Sequence, residues 1–276
     1  MSEESVRNID AEGLALFAQK GQEGGAEVPQ AGFANGVKVR RVMQVTRDLA
    51  RRPFSKLRIL DLGCGEGVYA IEAGLRGAEV VALDARSERL DEGASCARRH
   101  DLGEVRFVQE DVRNVRAETF ESFDVVYLLG LLYHLDEGDV FSVLENIFAL
   151  CTDMLLIDTL ISLEPDCEVD WKGKTYRGQR SREHEDGDTS EQRRSRVLRS
   201  IDNTFSFRFT KDSLLRVLND VGFTSVYECH IPFEPGKAND RLTLVARKGE
   251  PVLLSTYPWV NHKSEAEIEK ELLPEG

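Results

Sequence analysis

The stretch LRILDLGCGEG, residues 57–67, places a short apolar segment directly before a glycine-rich loop. The apolar part, Leu57–Leu62, is typical of a buried strand. Glycines at positions 63, 65 and 67 let the backbone turn tightly and let a ligand approach main-chain atoms closely. Their G-x-G-x-G spacing differs from the G-x-G-x-x-G of dinucleotide-binding proteins. We therefore expect a nucleoside-binding loop at the end of this strand that does not serve a dinucleotide.

The acid that precedes the loop indicates the charge of the expected ligand. Asp61 stands at the end of the predicted strand, next to Gly63. A carboxylate at this position repels a pyrophosphate but attracts a cation. S-adenosylmethionine (SAM) carries a cationic amino group and a sulfonium, whereas NAD carries a pyrophosphate. The sequence therefore favours SAM over NAD.

Around this loop, short apolar segments alternate with amphipathic ones. The predicted strands are Leu57–Leu62, Glu79–Leu83, Val105–Gln109, Phe123–Leu128 and Asp153–Leu160. The predicted helices between them are Val68–Arg76, Ser87–Arg99 and Val140–Ala149. This alternation indicates βαβ units and a mainly parallel sheet with helices on both faces. After a predicted helix at Lys211–Val221, strands near Ser225–Ile231 and Arg241–Arg247 predict an antiparallel last strand that closes the sheet.

Two further acids end neighbouring predicted strands. Asp84 follows the second strand, where a carboxylate can accept hydrogen bonds from both ribose hydroxyls. Asp111 follows the third, where it can accept the amino group of adenine. Open α/β sheets bind ligands at the carboxyl ends of their strands, so we expect both acids beside Asp61. The alternatives are a helix N-cap for Asp84 and a turn-forming role for Asp111.

The ordered motifs LDLGCGEG, the strand that ends in Asp84, EDV at 110–112 and FDVVYLLGLLYHL at 123–135 resemble those of class I SAM-dependent methyltransferases. The resemblance covers residues 56–160 and, more loosely, 205–248, and it implies a Rossmann-like α/β fold and SAM as cofactor. The cofactor-binding residues that it implies are Asp61, Gly63, Cys64, Gly65, Gly67, Asp84, Ala85, Asp111, Val112, Leu129 and Gly130. The chain lacks the Asn/Asp-Pro-Pro-Tyr motif of enzymes that methylate the amino groups of bases.

A narrower resemblance concerns the segment after the fourth strand. Tyr133-His134-Leu135 and NTFSFRFTKDSLLRVLNDVGF, residues 203–223, look like the branch that contains tRNA wobble-uridine carboxymethyltransferases and several small-molecule methyltransferases. Tyr133 and His134 follow the strand near the expected methyl group, so both are candidate catalytic residues. His134 is either a general base, since imidazole titrates near neutrality, or a structural loop residue.

The predicted organisation has five parts: an N-terminal helical cap or lid at 1–55, the SAM-binding core at 56–162, an insertion or substrate cap at 163–206, the rest of the core at 207–248, and a tail at 249–276. The first part contains predicted helices at Glu12–Lys20 and Val37–Arg51, and the tail contains one at Ser264–Leu273. Residues 163–203 are charged and lack apolar periodicity, so we expect a mobile insertion or a cap that orders on a ligand.

The insertion contains the residues that bear on the methyl acceptor. The aromatic residues that either line an acceptor pocket or pack in the core are Trp171, Tyr176, Phe205 and Phe207. The arginines that could face phosphates are Arg177, Arg180, Arg182, Arg193, Arg194, Arg196 and Arg199. The acids that interleave with them and weaken this patch are Glu183, Glu185, Asp186, Asp188 and Glu191.

Net charge, cysteine content and the distribution of apolar residues limit the kinds of protein that this chain can be. The net charge of -13 opposes non-specific binding to nucleic acid. Five scattered cysteines without a Cys-x-x-Cys pair predict free thiols and no zinc site. The N-terminus MSEES shows no secretory pattern, and no apolar run is long enough to cross a bilayer, so we expect a soluble, cytoplasmic protein without membrane partners.

Three functions are compatible with the sequence. The first is a SAM-dependent methyltransferase that acts on oxygen or nitrogen of a small-molecule acceptor. The second is a SAM-dependent methyltransferase or carboxymethyltransferase that modifies tRNA or another RNA. The third is a non-catalytic SAM-binding subunit, against which the intact set of glycines and acids argues.

Overall fold

The chain folds around one large sheet in the computed structural model, which describes residues 30–230 and 236–251. The strands are β1 (Arg58–Leu62), β2 (Glu79–Asp84), β3 (Val105–Gln109), β4 (Phe123–Leu129), β5 (Cys151–Leu160), β6 (Cys167–Trp171), β7 (Lys174–Arg182), β8 (Phe205–Phe209), β9 (Ser225–Glu228) and β10 (Arg241–Arg247). The large sheet has the order β3-β2-β1-β4-β5-β10-β9. β1 to β5 are parallel, and β10 runs antiparallel to both β5 and β9, as predicted.

The helices flank this sheet. They are α1 (Gln30–Ala50), α2 (Val68–Leu75), α3 (Ser87–Arg99), α4 (Asp139–Leu150), α5 (Ser190–Ser195) and α6 (Lys211–Val221). Short 3₁₀ turns occur at Phe54–Lys56, Val112–Asn114 and Leu132–His134. α6 begins after Thr210, whose side chain accepts from the N–H of Ser213, and it ends at Gly222, as the sequence predicts.

Alternating side chains of the parallel strands form two apolar layers. On one face, Leu60 and Leu62 of β1 pack with α4, α6 and the aromatic residues of β7 and β8. On the other face, Ile59 packs with α1, α2 and α3. A strand that is buried on both faces has a nearly continuous apolar sequence, which explains why the segment 57–62 stands out.

α1 is longer than predicted and belongs to the core. It begins at Gln30 rather than Val37, and it ends before Arg51, which has a positive φ of 52°. Val42 and Met43 are buried, and Thr46 hydrogen-bonds the hydroxyl of Tyr127 on β4 at 2.9 Å. The helices predicted at Glu12–Lys20 and Ser264–Leu273 lie outside the described residues.

The sequence predicts no strand or helix within the insertion, whereas the structure contains both there. Strands β6, β7 and β8 form a second, antiparallel sheet, and α5 follows a capping box between Thr189 and Gln192. β6 and β7 are joined by a two-residue turn at Lys172 and Gly173, both with positive φ. β8 spans Phe205–Phe209, so the boundary predicted at 206 falls inside a strand.

Gly67 is required by packing as well as by its backbone. It has a φ of 75° and precedes the first residue of α2. A Cβ at this position would lie 2.4 Å from the ring of Phe107 on β3, and a Cβ at Gly93 on α3 would lie equally close to the same ring. The absence of two side chains therefore lets β3 pack against the start of α2 and the middle of α3.

Replacing Gly67 with Ala should lower the free energy of unfolding by about 1–3 kcal/mol, because the new methyl group strains the backbone and overlaps Phe107. Urea unfolding followed by circular dichroism measures the change. Gly103→Ala is the matched control: no heavy atom lies within 4 Å of its Cβ position, and its φ is outside the left-handed region. An equal change in both variants would contradict this explanation.

Candidate functional site

A cleft that is partly open to solvent lies at the carboxyl ends of the parallel strands. The sequence-predicted residues that line it are Gly63, Asp84, Ala85, Asp111, Val112, Gly130, Tyr133 and His134. They come from four separate segments of the chain, because parallel strands end at one edge of the sheet. The predicted residues Asp61, Cys64, Gly65, Gly67 and Leu129 are not part of this lining.

The glycine loop forms one wall of the cleft. Gly63 and Gly65 have φ values of 67° and 58°, a conformation that favours glycine. The N–H of Cys64 donates to the carbonyl of Leu83 at 2.9 Å and ties the loop to β2. Burial raises the pKa of the Cys64 thiol, so this side chain fills space and is not a nucleophile.

Asp61 lies beneath the loop with one bare oxygen. Its residue exposure is 1 %, and its Oδ2 has no hydrogen-bond partner within the described part of the chain. Burial, reinforced by the charge of Asp84 and opposed by the N–H of Ala70, raises the pKa of Asp61 to about 7. A buried carboxylate without a partner is costly, and a cation that reached it would remove that cost.

Asp84 connects the glycine loop to the segment that follows β2. Its Oδ2 accepts from the N–H of Gly65 at 3.0 Å, and its Oδ1 accepts from the N–H of Arg86 at 2.9 Å. The residue at the N-cap position of α3 is Arg86, so Asp84 does not cap that helix. Each carboxylate oxygen retains a further acceptor site, which is available for a hydroxyl group in the cleft.

Asp111 has the turn-forming geometry that was the alternative for it. It caps the 3₁₀ turn Val112–Asn114, and its side chain accepts from the N–H of Arg113 at 2.9 Å. The Arg113 guanidinium also binds the carboxylate at 2.6 Å. Burial alone would raise the pKa of Asp111, but these contacts with Arg113 hold it below its usual value. A ligand amino group would share this carboxylate with Arg113.

The end of β4 forms the opposite wall. The N–H of Gly130 donates to the carbonyl of Asp158 at 2.8 Å, and Gly130 has a φ of 87°. The space where its Cβ would stand is bordered by the hydroxyl of Tyr133 and a guanidinium nitrogen of Arg241, both 3.8 Å away. Arg241 is ion-paired with the buried Asp158.

Residues of the insertion and of β8 hydrogen-bond to His134 and to its neighbour Leu135. Its Nδ1 lies 3.1 Å from Oε1 of Glu183, the residue that follows β7. The side chain of Asn203 donates to the carbonyl of His134 at 3.1 Å, and the N–H of Phe207 donates to the carbonyl of Leu135 at 2.8 Å. The insertion thus fixes both the ring and the main chain of this segment.

Residues 194–203, which we call the strap, cross one side of the cleft. Arg86 donates to the strap carbonyls of Arg199, at 2.9 Å, and of Arg194, Arg196 and Ser200, each at 3.3 Å. Arg113 pairs with Asp202 of the strap at 2.7 Å. The apolar side chains of Val197 and Leu198 line the cleft and are exposed, the latter to 83 %.

Sequence analysis missed three of these residues. Arg86 and Arg113 each lie two residues beyond a predicted acid, Asp84 and Asp111, but their partners are about ninety or more residues away in sequence. In the sequence, Glu183 is one of several acidic residues that alternate with arginines in the insertion, and nothing distinguishes it from the others. No local pattern indicates such pairings, because they depend on how the insertion folds back onto the core.

The aromatic residues of the insertion do not form the acceptor wall that was one alternative for them. Tyr176 and Phe207 are buried in the core with Phe141, and Trp171 stacks on Phe141 with ring centroids 5.2 Å apart. Phe205 is exposed beneath the guanidinium of Arg182. Ordinary core packing explains the first three.

The arginines of the insertion are largely paired within the protein. Arg180 binds Glu137 at 2.6 Å. Arg182 lies 3.3 Å from Asp186, and Arg196 is ion-paired with Asp188. These internal pairs compensate the positive charge of these three arginines and so reduce what the insertion offers to a phosphate backbone.

Two negative findings concern the described residues alone. Among the helices within 30–230 and 236–251, none is both long and apolar enough to cross a bilayer. Over the same ranges, no group of three or more His, Cys, Asp and Glu side chains is arranged to hold a metal ion.

Part of the chain is similar in sequence to known proteins. Residues 59–153 match the profile of the methyltransferase domain family. The ubiquinone biosynthesis O-methyltransferase of Sinorhizobium medicae is 35 % identical over 96 residues, which is 33 % of this chain and 36 % of that protein. The enzyme of the same name from Ruegeria pomeroyi is 39 % identical over 93 residues, covering 32 % and 35 %. The chain thus spans about a third of the length of these relatives.

Solved structures extend the likeness over most of the chain. The N-terminal domain of EvdMO1 with S-adenosylhomocysteine bound has a TM-score of 0.62 at 20 % identity, covering 76 % of this chain and 81 % of that one. The 1,6-didemethyltoxoflavin-N1-methyltransferase of Burkholderia thailandensis has a TM-score of 0.54 at 21 % identity, covering 91 % and 92 %. Residues 59–153 are therefore similar to a methyltransferase domain, and the described chain shares the Rossmann-like α/β fold of these solved structures.

Proposed function

We propose that the chain transfers the methyl group of SAM to a small-molecule acceptor. The observation that carries this proposal is the cleft lined by Gly63, Asp84 and Asp111, with the buried carboxylate of Asp61 two positions before Gly63 in the chain. The family profile and the fold support it, since both are those of methyltransferases. A purely binding role leaves the acceptor-side residues Tyr133 and His134 without a use.

The residues of the cleft fit SAM in three respects. Gly63 lines the cleft in a left-handed conformation that favours glycine, and Asp84 retains acceptor sites for the ribose hydroxyls. Asp61 offers a carboxylate to the cationic amino group. In our proposal Val112 and Asp111 border adenine, while Leu129 and Gly130 border the methyl group. When bound, SAM supplies a methyl group that its sulfonium has already activated, so the protein mainly has to orient and desolvate the acceptor.

The acceptor side lies between the end of β4 and the insertion. In our proposal residues 163–206 act as a substrate cap, because the insertion supplies both the strap and the contact with His134. The structural neighbour from Burkholderia thailandensis carries a bound small molecule beside S-adenosylhomocysteine, which favours a small acceptor here. Residues 1–29, the first part of the predicted N-terminal lid, lie outside the described chain.

An RNA acceptor and the wobble-uridine branch are not part of this proposal. Three of the arginines that would have to face phosphates, Arg180, Arg182 and Arg196, are paired with Glu137, Asp186 and Asp188, and the net charge is -13. The related enzymes reported above act in ubiquinone biosynthesis by their names. We propose the cytoplasm as the location, a reducing compartment that suits five unpaired cysteines.

S-adenosylhomocysteine should bind more tightly as the pH rises to about 7. Its ammonium favours the ionised form of Asp61, whose pKa in the free protein is about 7, so at lower pH the carboxyl group must lose a proton on binding. Isothermal titration calorimetry should show a dissociation constant that falls about tenfold between pH 6 and pH 8.

Two controls isolate this effect. Asp61→Asn should bind S-adenosylhomocysteine more weakly and without this pH dependence. The native chain should bind 5′-methylthioadenosine, which lacks the amino-acid part, with no such dependence either. Equal pH dependence for both ligands would assign the proton to another group, and binding of NAD in place of S-adenosylhomocysteine would contradict the proposed function.

Replacing Arg86 with Ala should speed the release of S-adenosylhomocysteine by about tenfold, because the strap loses the hydrogen bonds from Arg86 and a hydrogen bond is worth about 1 kcal/mol. Stopped-flow fluorescence measures the dissociation rate. Arg98→Ala on the exposed side of α3 is the control, since Arg98 contacts only Ser95 in the hydrogen bonds described. An unchanged rate in Arg86→Ala would mean that the strap does not gate the cleft.

A further inference from the structure

Glu183 is a buried carboxylate surrounded by hydrogen-bond donors. Its side chain is 2 % exposed. Oε1 accepts from the hydroxyl of Ser206 at 2.8 Å, and Oε2 accepts from the N–H of Ser200 at 3.0 Å. The remaining contact is Nδ1 of His134, at 3.1 Å from Oε1. Ser200 and Ser206 lie close together in the chain, and His134 lies just after β4.

The protonation state of this pair follows from its surroundings. Burial alone would raise the pKa of Glu183, but its hydrogen bonds with His134, Ser200 and Ser206 hold that pKa below its usual value. An ionised carboxylate has no hydrogen to donate, so Nδ1 of His134 must carry the hydrogen of this contact. In the neutral imidazole, Nε2 is then the nitrogen with a free lone pair.

The ring that is fixed in this way belongs to the acceptor side of the cleft. His134 ends the 3₁₀ turn after β4 and lines the cleft with Gly130 and Tyr133. The ring centroids of Tyr133 and His134 are 4.3 Å apart, which restricts the imidazole from a second side. The main-chain hydrogen bonds from Asn203 and Phe207 restrain the backbone of the turn.

A histidine with a purely structural role would not need a buried carboxylate as its hydrogen-bond partner. A carbonyl or a water molecule suffices to satisfy an imidazole N–H, whereas a buried carboxylate must itself be stabilised by two further donors. In a catalytic triad, an acid at this position holds the imidazole of the general base in one tautomer and one orientation. The core supplies the imidazole and the insertion supplies the carboxylate.

We propose that Glu183 is a positioning residue that holds His134 as the general base of the transfer, and that the acceptor is therefore a hydroxyl compound, a phenol or an alcohol. This inference rests on the proposed function. The acceptor O–H gives its proton to Nε2 of His134, and the oxygen lone pair forms the new bond to the methyl carbon. The electron pair of the broken carbon–sulfur bond remains on sulfur, which leaves a neutral thioether, and the imidazolium pairs with Glu183 until it releases the proton to water.

The tautomer of His134 tests the geometry without any turnover. In the full chain labelled with ¹⁵N-histidine, a long-range ¹H–¹⁵N correlation spectrum at pH 8 should show His134 with the hydrogen on Nδ1, and His134→Asn should remove only that signal. Glu183→Gln should convert the signal to a tautomer mixture, because an amide both donates and accepts. Glu185→Gln, an exposed acid in the same insertion, should leave it unchanged.

The substrate class is tested with two probes, catechol and benzoate, and radiolabelled SAM. Catechol should be methylated, with a kcat about 100-fold lower in His134→Gln and about tenfold lower in Glu183→Gln, and with little change in KM. Glu183→Asp should recover part of the loss, while Glu185→Gln should match the native chain. Binding of S-adenosylhomocysteine should be the same in all variants, which shows that they are folded.

Each arm has an outcome that overturns the inference. Hydrogen on Nε2 of His134 in the native chain would show that the carboxylate does not set the tautomer. Methylation of benzoate but not of catechol, or catechol turnover that is indifferent to Glu183→Gln, would remove the general base. A chain that does not bind S-adenosylhomocysteine while showing the expected tautomer would instead contradict the proposed function and leave the pair itself intact.

Discussion

The ring of Phe107 occupies the volume that side chains at positions 67 and 93 would need, and the cleft depends on this packing. Because both positions are glycine, β3 can approach the start of α2 and the middle of α3 at the same time. The loop between β1 and α2 is then held in a left-handed conformation, with Asp61 beneath it and Asp84 bonded to Gly65. The carboxyl ends of β1, β2 and β3 thus lie close together beside the cleft.

The sequence predicts this half of the molecule well and the insertion poorly, for a physical reason. β1 and β4 are buried on both faces, so their apolar runs stand out, and the predicted bounds differ from the structure by at most two residues at each end of β1 to β5. β6 and β7 expose one face, carry charged residues there and bury little besides Tyr176. The two-residue turn at Lys172-Gly173 and the capping box after Thr189 were the local signals available.

Some residues of the candidate site could likewise be predicted from the sequence, and others could not. Asp61 and Asp84 could be predicted because a strand end places them, and strand ends are visible in the sequence. Asp111 was predicted by position, but its pairing with Arg113 was not. Glu183 could not be predicted, since its meeting with His134 depends on a sheet that the charged sequence conceals. Residues that a single segment places can be predicted, and residues that two folded segments bring together need the structure.

The place of β10 has a consequence for biosynthesis. β10 fills the position between β5 and β9, and its entire length pairs with β5. During translation β5 emerges first, followed by the whole insertion and α6, so its apolar edge stays unpaired until the last described strand leaves the ribosome. An unpaired apolar strand edge readily joins other chains. The length of the insertion therefore sets how long the edge of β5 stays unpaired during synthesis.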